Sequence, residues 1–469
     1  MRGFSAVLLF SLFGTTAAAN TAPEDQERPP NIVILFADDL GYGDLGCYGH
    51  PSIATPNLDR MAAEGQKWTD FYVGASVCTP SRAALLTGRL PIRSGMCSSQ
   101  RRVLFPDSAG GLPHTEVTLA EALKPVGYAT ACVGKWHLGH LPEYLPTNRG
   151  FDSYFGIPYS NDMDRIADAP EGRQAITEPK LEYFNVPLLR DLEMIERPAD
   201  QHTLTKRYTE ESLRFIESHQ DEPFFLYLAH TMPHVPLFRS EAFEEISRRG
   251  LYGDVIEEID WSVGQILDTL RRLDLAERTV VFFTSDNGPW LTYNEQGGSA
   301  GLLRNGKGST WEGGMRVPLL AWWPGTISAG QVVNDLGTTM DLYVSAIELA
   351  GGTVPSDRPI DGQDLRPRWL GTGEGPRQEI YYYRGDELYA VRWGTFKAHF
   401  ITEDAYGQNR NKTKHDTPLL YHLGHDPAEK NNIAEQHPEV IDAIRRLVEE
   451  HQSTIEPVEN QLEKRLGED

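Results

Sequence analysis

Four times along this chain a near-continuous apolar run breaks off into a polar cluster. Residues 31–37 lead into Asp38 and Asp39, and residues 128–134 into Lys135-Trp136-His137. Residues 223–229 lead into His230, with His234 four positions on, and residues 279–285 lead into Asp286-Asn287-Gly288. Apolar runs of this length predict strands buried on both faces of a largely parallel sheet. Between them lie helical patterns at 57–64, 115–123 and 254–273. The last places Ile256, Ile259, Val263, Ile266, Leu267 and Leu270 on one face. Strands alternating with helices imply an α/β fold, in which ligands bind beyond the carboxyl ends of the strands. All four polar clusters fall at such ends. Taken singly, Asp-Asp reads as a helix cap, Asp-Asn-Gly as a turn and His234 as a structural histidine; their convergence on one edge is what points to a site.

The remainder of the chain reads as support. The Gly-rich stretch 295–308 predicts a loop that delivers Lys307. Residues 358–376, rich in Pro, Gly and charge, read as a linker. Short strands at 379–383, 388–391 and 397–401, then an amphipathic helix at 440–451, predict a small antiparallel subdomain. The expected organisation is a catalytic domain over 20–370 and a C-terminal α+β subdomain over 371–469. Arg2, the apolar run 4–13 and Ala17-Ala18-Ala19 have the form of an export signal over residues 1–19. No later run reaches the roughly 18 apolar residues of a membrane span. These features predict an exported, periplasmic or secreted protein without stable membrane insertion.

Composition narrows the function. The formal charge of −23 and the absence of a basic stripe argue against a nucleic-acid partner. An anionic substrate is still compatible, because charges beyond about 10 Å are screened at moderate salt and a few buried cations can dominate. Four cysteines, Cys47, Cys78, Cys97 and Cys132, are too few for a disulfide scaffold, and Cys132 lies within an apolar run as a core residue would.

Cys78 stands in Cys78-Thr79-Pro80-Ser81-Arg82, followed by Ala83-Ala84-Leu85-Leu86-Thr87-Gly88-Arg89. Pro80 suits the start of a helix and Gly88 its stop, which places residue 78 just ahead of a helix N-terminus that attracts anions. Arg82, about one turn in, can reach back with a permanently charged fork. This motif resembles the signature of the type I sulfatases, whose cysteine is oxidised to formylglycine during export. Asp38-Asp39-Leu40-Gly41-Tyr42-Gly43-Asp44, Gly134-Lys135-Trp136-His137-Leu138-Gly139, Gly306-Lys307-Gly308 and Trp311-Glu312-Gly313-Gly314-Met315-Arg316 extend the resemblance over nearly the whole chain.

The resemblance implies an alkaline phosphatase-like sulfatase fold, with a large mostly parallel sheet between helices. It implies a sulfuric ester hydrolase acting on a sulfated carbohydrate or aryl sulfate. A divalent metal, normally calcium with magnesium also admitted, would be held by Asp38, Asp39, Asp286, Asn287 and the formylglycine (3-oxoalanine) made from Cys78. Arg82 would steady the aldehyde hydrate, while Lys135, Lys307 and Ser160 hold the sulfate. One hydroxyl of the hydrate attacks sulfur, helped by the metal and with Asp286 as base, and His234 or Lys307 protonates the departing alcohol. His137 then takes the proton of the second hydroxyl as sulfate leaves. A formylglycine-generating maturase is the implied partner during export. Clustered Lys135, Lys307 and Arg82 should depress one another's proton affinity, with a bound anion offsetting the effect.

Segment 96–111 should line the pocket mouth, with Phe105 where a related sulfatase has tyrosine. His415 is a further candidate contact, with a surface histidine as its ordinary reading, and Asn411-Lys412-Thr413 forms a glycosylation sequon. Two other readings share these residues: a phosphonate monoester or phosphodiester hydrolase of the same superfamily, and a non-catalytic glycan-binding relative. Lys135-Trp136-His137 with Lys307 favours the sulfatase over the first. The filled set of charged positions argues against the second.

Overall fold

The computed structural model describes Met1, Gly3 and residues 28–406, 408 and 411–467; apart from Met1 and Gly3, the export-signal segment lies outside the described residues. Its main sheet is built from β1 (Asn31–Ala37), β2 (Gln66–Tyr72), β3 (Ala129–Gly134), β4 (Ser153–Gly156), β5 (Leu188–Arg190), β6 (Glu193–Glu196), β7 (Phe224–Ala229), β8 (Thr279–Ser285), β9 (Arg316–Trp322), β10 (Gln331–Val333) and β11 (Gly337–Thr338). Their order is β10-β2-β9-β8-β1-β7-β3-β4-β5-β6, with β11 also on β2. The centre is parallel: β1 lies between β7 and β8, and β3 between β7 and β4. Antiparallel β9, β5 and β6 make the sheet mixed towards its edges.

The strands alternate as a doubly covered sheet requires. Ile32, Ile34 and Phe36 enter one core with the Cys78–Thr87 and Thr339–Leu349 helices. Val33, Leu35 and Ala37 enter the other with Leu204–Ser218 and Leu251–Arg272. The helical pattern expected at 254–273 thus forms a little earlier, and all six of its apolar positions are buried. The helix expected at 115–123 starts only at Leu119. Thr118 caps it, in a reciprocal pair with Glu121 that satisfies two backbone donors.

A second, antiparallel sheet holds β12 (Glu379–Arg384), β13 (Glu387–Trp393), β14 (Phe396–Thr402) and β15 (Thr413–His422) in sequential order. The Pro438–Ser453 helix covers it through Val440, Ile441 and Ile444 against Val391, Ala398 and Leu420. No helix among the described residues is long and apolar enough to cross a membrane.

Candidate active site

The register of the parallel strands sets the site. Phe36 is level with Ala229 and Thr284, and Ala229 with Gly134, so the segments following β1, β3, β7 and β8 leave the sheet together. Short backbone bonds lock these exits: Lys135 N–H donates to Ala229 O, His230 N–H to Phe36 O and Asp286 N–H to Ala37 O. Asp39 and His137 adopt left-handed φ of 64° and 60°. Such backbone is uncommon outside glycine and here aims both side chains into the site.

The helix carrying the cysteine begins at Cys78 itself rather than at Pro80. Proline is tolerated inside the first turn because those N–H groups have no intrahelical acceptor. Gly88 closes the helix at φ 68°, the left-handed stop its sequence suggests.

Cys78 Sγ lies 3.6 Å from Asp38 Oδ1 and 3.5 Å from Lys307 Nζ. Lys135 Nζ donates to Asp38 Oδ2 and, at 3.1 Å, to Ser160 Oγ. Arg82 grips Asp286 Oδ2 through Nε and Nη2 at 3.1 and 2.9 Å, and donates to the Lys135 carbonyl. Asn287 Nδ2 donates to Asp39 Oδ1 at 2.7 Å, and the Asp39 N–H donates to Asp286 Oδ1 at 3.0 Å. His234 Nε2 stands 3.7 Å from Asp39 Oδ2, its Nδ1 bonded to the Val235 carbonyl. His137 Nε2 bonds the Leu104 carbonyl at 2.9 Å, which leaves Nδ1 without a partner and able to accept a proton. Every residue of this constellation is buried.

A pocket of about 180 Å³ opens over Cys78. Ser160, His137, His234 and Lys307 line it, with Arg102, Val103 and Phe105 from the expected mouth segment. His415 does not; it sits on β15, hydrogen-bonded to Thr402. Sequence reasoning missed Asp162, Met163, Trp290 and Tyr406, which also line the pocket. Asp162 lies two residues beyond Ser160 and Trp290 three beyond Asn287, so proximity could have flagged both. Tyr406 comes from the segment between β14 and β15 and carried no local signal.

The family model described as "Sulfatase" matches residues 30–352, and that for the "C-terminal region of aryl-sulfatase" matches 375–467. The chain belongs to the sulfatase family. It is 46% identical to arylsulfatase A of Homo sapiens over 446 residues, covering 90% of this chain and 87% of that protein. It is 44% identical to N-acetylgalactosamine-6-sulfatase of Canis lupus familiaris over 498 residues, covering 98% and 92%. The crystal structure of the PsFucS1 sulfatase from Pseudoalteromonas sp. superposes with a TM-score of 0.81 at 31% identity, covering 92% of each chain. This sulfatase is therefore a sulfuric ester hydrolase, of a family that works with a metal ion and a formylglycine made from cysteine.

The electrostatics fit such a metal. Burial drives Asp286 up to about 7 despite Arg82, and it also raises Asp39 against the pull of Lys307. Burial works against Asp38 too, but Lys135, His234, Arg82 and Lys307 together hold it well below the usual carboxylate range. Asn287 Oδ1 is buried with no partner. Three clustered buried carboxylates, two of them raised by burial, beside an orphaned amide oxygen make an oxygen-rich set suited to a hard dication. Ligand atoms of Asp38, Asp39, Cys78 and His234 all lie within 4.8 Å of one another. His234 thus joins this close group, while Asp286 adjoins it through the Asp39 N–H.

At Lys307 and Arg82 the neighbouring carboxylates outweigh both burial and mutual depression. Burial would strip Lys307 of its proton, but Asp39 outweighs it and holds the ammonium above its ordinary value. Burial, helped by Lys135 and Lys307 respectively, keeps His137 and His234 well below the usual imidazole range and hence neutral at pH 7. The Cys78 thiol is pushed up to about 12 by burial, against Lys135 and Lys307. An unmodified Cys78 is therefore a poor nucleophile.

Proposed function

We propose that this sulfatase is an exported hydrolase that removes sulfate from a sulfated carbohydrate, with formylglycine derived from Cys78 as nucleophile. The observation that carries the reading is the place of Cys78 Sγ, between Asp38 and Lys307 at the head of its helix. That sulfur stands in for the oxygens of the aldehyde hydrate. A sulfated sugar is favoured because a relative alike over 98% of this chain is named for a sulfated amino sugar. The division into a catalytic unit over 20–370 and a C-terminal subdomain over 371–469 is part of the same proposal.

Asp38, Asp39, Asp286 and Asn287 would hold the metal, for which we propose Ca2+, since four protein oxygens suit a larger cation of flexible coordination. When bound it supplies positive charge against the sulfate oxygens and the hydrate. Lys135 and Ser160 bind the sulfate from one side and Lys307 from the other, where buried cations act strongly. Arg82, fixed on Asp286 and the Lys135 carbonyl, orients residue 78. Lys307 keeps a proton to give to the departing alcohol, with His234 beside it. His137 Nδ1 is a neutral, unpartnered acceptor for the proton of the second hydroxyl. Each such proton transfer is worth roughly 10²–10⁴-fold.

The test has two parts. Mass spectrometry of the peptide spanning residue 78, from a host containing the maturase, should show conversion to the aldehyde. Kinetics on matched aryl sulfate and aryl phosphonate esters should favour sulfate; preference for the phosphonate would transfer the chain to the hydrolase alternative.

A further inference from the structure

The wall of the pocket carries one group that the sulfate chemistry does not use. Asp162 sits in the turn after β4, where Met163 N–H closes back on the Ser160 carbonyl at 3.2 Å. Among the described residues lining the pocket it is the only carboxylate, and Val103, Phe105 and Met163 make apolar wall around the same opening. Its Oδ1 is buried and has no partner, and burial raises the carboxyl above its ordinary value, with Lys135, Lys307 and the nearby Ser160 hydroxyl pulling the other way. Lys135 donates to Ser160, and Asp162, two residues on in the same turn, lines the same pocket, so the carboxylate stands on the wall beside the group that holds the sulfate.

The chemistry restricts what can stand against that wall. A sulfate oxygen is repelled by a carboxylate in low dielectric. A bare aromatic ring would leave Oδ1 unsatisfied, which is costly for a buried charged acceptor. A hydroxyl held by the pocket would complete it. We propose that Asp162 selects sulfated sugars over aryl sulfates by accepting a hydrogen bond from a hydroxyl of the pyranose ring. This rests on the sulfatase reading above and names the substrate class of the same site. Pockets built to hydrogen-bond a substrate hydroxyl reject analogues that lack it far more strongly than apolar pockets reject a change of size.

The experiment compares kcat/KM of the converted wild type, Asp162→Ala and Asp162→Asn on two kinds of substrate. The sugars are galactose 3-, 4- and 6-sulfate and N-acetylglucosamine 6-sulfate; the donor-free comparison is 4-nitrophenyl sulfate. The wild type should favour at least one sugar. Asp162→Ala should lose at least about 30-fold more on that sugar than on 4-nitrophenyl sulfate, the size of one hydrogen bond to a charged acceptor. Asp162→Asn, which keeps an oxygen acceptor, should recover part of the difference. Equal loss on both substrates would mean that Asp162 acts only through Ser160 or the fold, and would overturn the proposal. So would no loss on the sugar, or a wild type that prefers 4-nitrophenyl sulfate to every sugar. A wild type that cleaves an aryl phosphonate but no sulfate would sink the sulfatase reading itself.

Discussion

Buried between Asp38 and Lys307, Cys78 is inert as a thiol and well placed as a carrier of oxygen. Replacing it by alanine removes the reacting atoms and little packing, since the helix around it is fixed by its neighbours. Cys78→Ala should therefore abolish sulfate release while holding the melting temperature within a few degrees of wild type. Retained turnover would show that the nucleophile lies elsewhere. The metal makes a second prediction. Asp38, Asp39 and Asp286 bring buried carboxylates, and Asn287 an unpartnered amide oxygen, that a dication would satisfy, so chelation should lower the melting temperature and added Ca2+ restore it. Binding at 100 times Kd stabilises by about 2.7 kcal/mol. In Asn287→Ala the stabilisation by Ca2+ should shrink and need more of the ion; an unchanged calcium titration would remove Asn287 from the ligand set. Asp38, Asp39, Asp286 and Asn287 were legible as a cluster because each follows a strand whose apolar run announces it, whereas Cys78 was found by its motif and the ligand roles came from the resemblance. Asp162 was not, because a polar residue in a turn has an ordinary explanation until its neighbours are known.

The element that delivers Lys307 shows where sequence reading stops. A Gly-rich loop was foreseeable, but its anchorage was not. Asn305, at φ 67°, donates to Asp404 Oδ1 at 3.0 Å and accepts from the Ala405 N–H at 3.2 Å. The Tyr406 N–H donates to the Lys307 carbonyl at 3.3 Å, and a Cβ on Gly308 would strike the Tyr406 ring. Lys307 is thus positioned by the segment beyond β14, about a hundred residues on, and contacts of that range leave no periodicity to read. β15 escaped for another reason: its first half, Thr413-Lys414-His415-Asp416, is polar and mostly exposed, so only its pairing with β14 makes it a strand. Asn305→Ala should reduce kcat by about 10- to 100-fold, the cost of misplacing a reacting group by around an ångström, with a smaller change in KM. Asn305→Gly, which restores the backbone freedom but not the side-chain bonds, should be equally slow. A glycine variant with wild-type kcat would reduce Asn305 to a turn residue.

Across the molecule, the two sheets meet at a buried cluster of charges centred on Glu312. Its carboxylate accepts from Tyr72, Tyr382 and Lys397, with Arg316 at 3.5 Å. Around it Lys397 also meets Glu429 at 3.0 Å, His399 bonds Glu429, and Arg392 pairs with Asp70. Burial alone would raise the Glu312 pKa, but Lys397, then Arg316 and Arg392, pull it down to about 2. A carboxylate depressed on folding stabilises the protein above its unfolded pKa, near 4.5, and loses that contribution as pH falls towards 2. Removing one member of a buried ionic cluster costs about 3–5 kcal/mol, because its partners stay buried without compensation. Glu312→Gln should accordingly lower the urea midpoint strongly at pH 7. The gap between variant and wild type should then narrow steadily between about pH 4.5 and 2, because protonation makes the wild-type side chain neutral like the glutamine. Measuring the difference cancels the titration of the metal-site carboxylates, which both proteins share. A gap that stays constant over that range would mean that Glu312 joins the sheets by shape and hydrogen bonding rather than by charge.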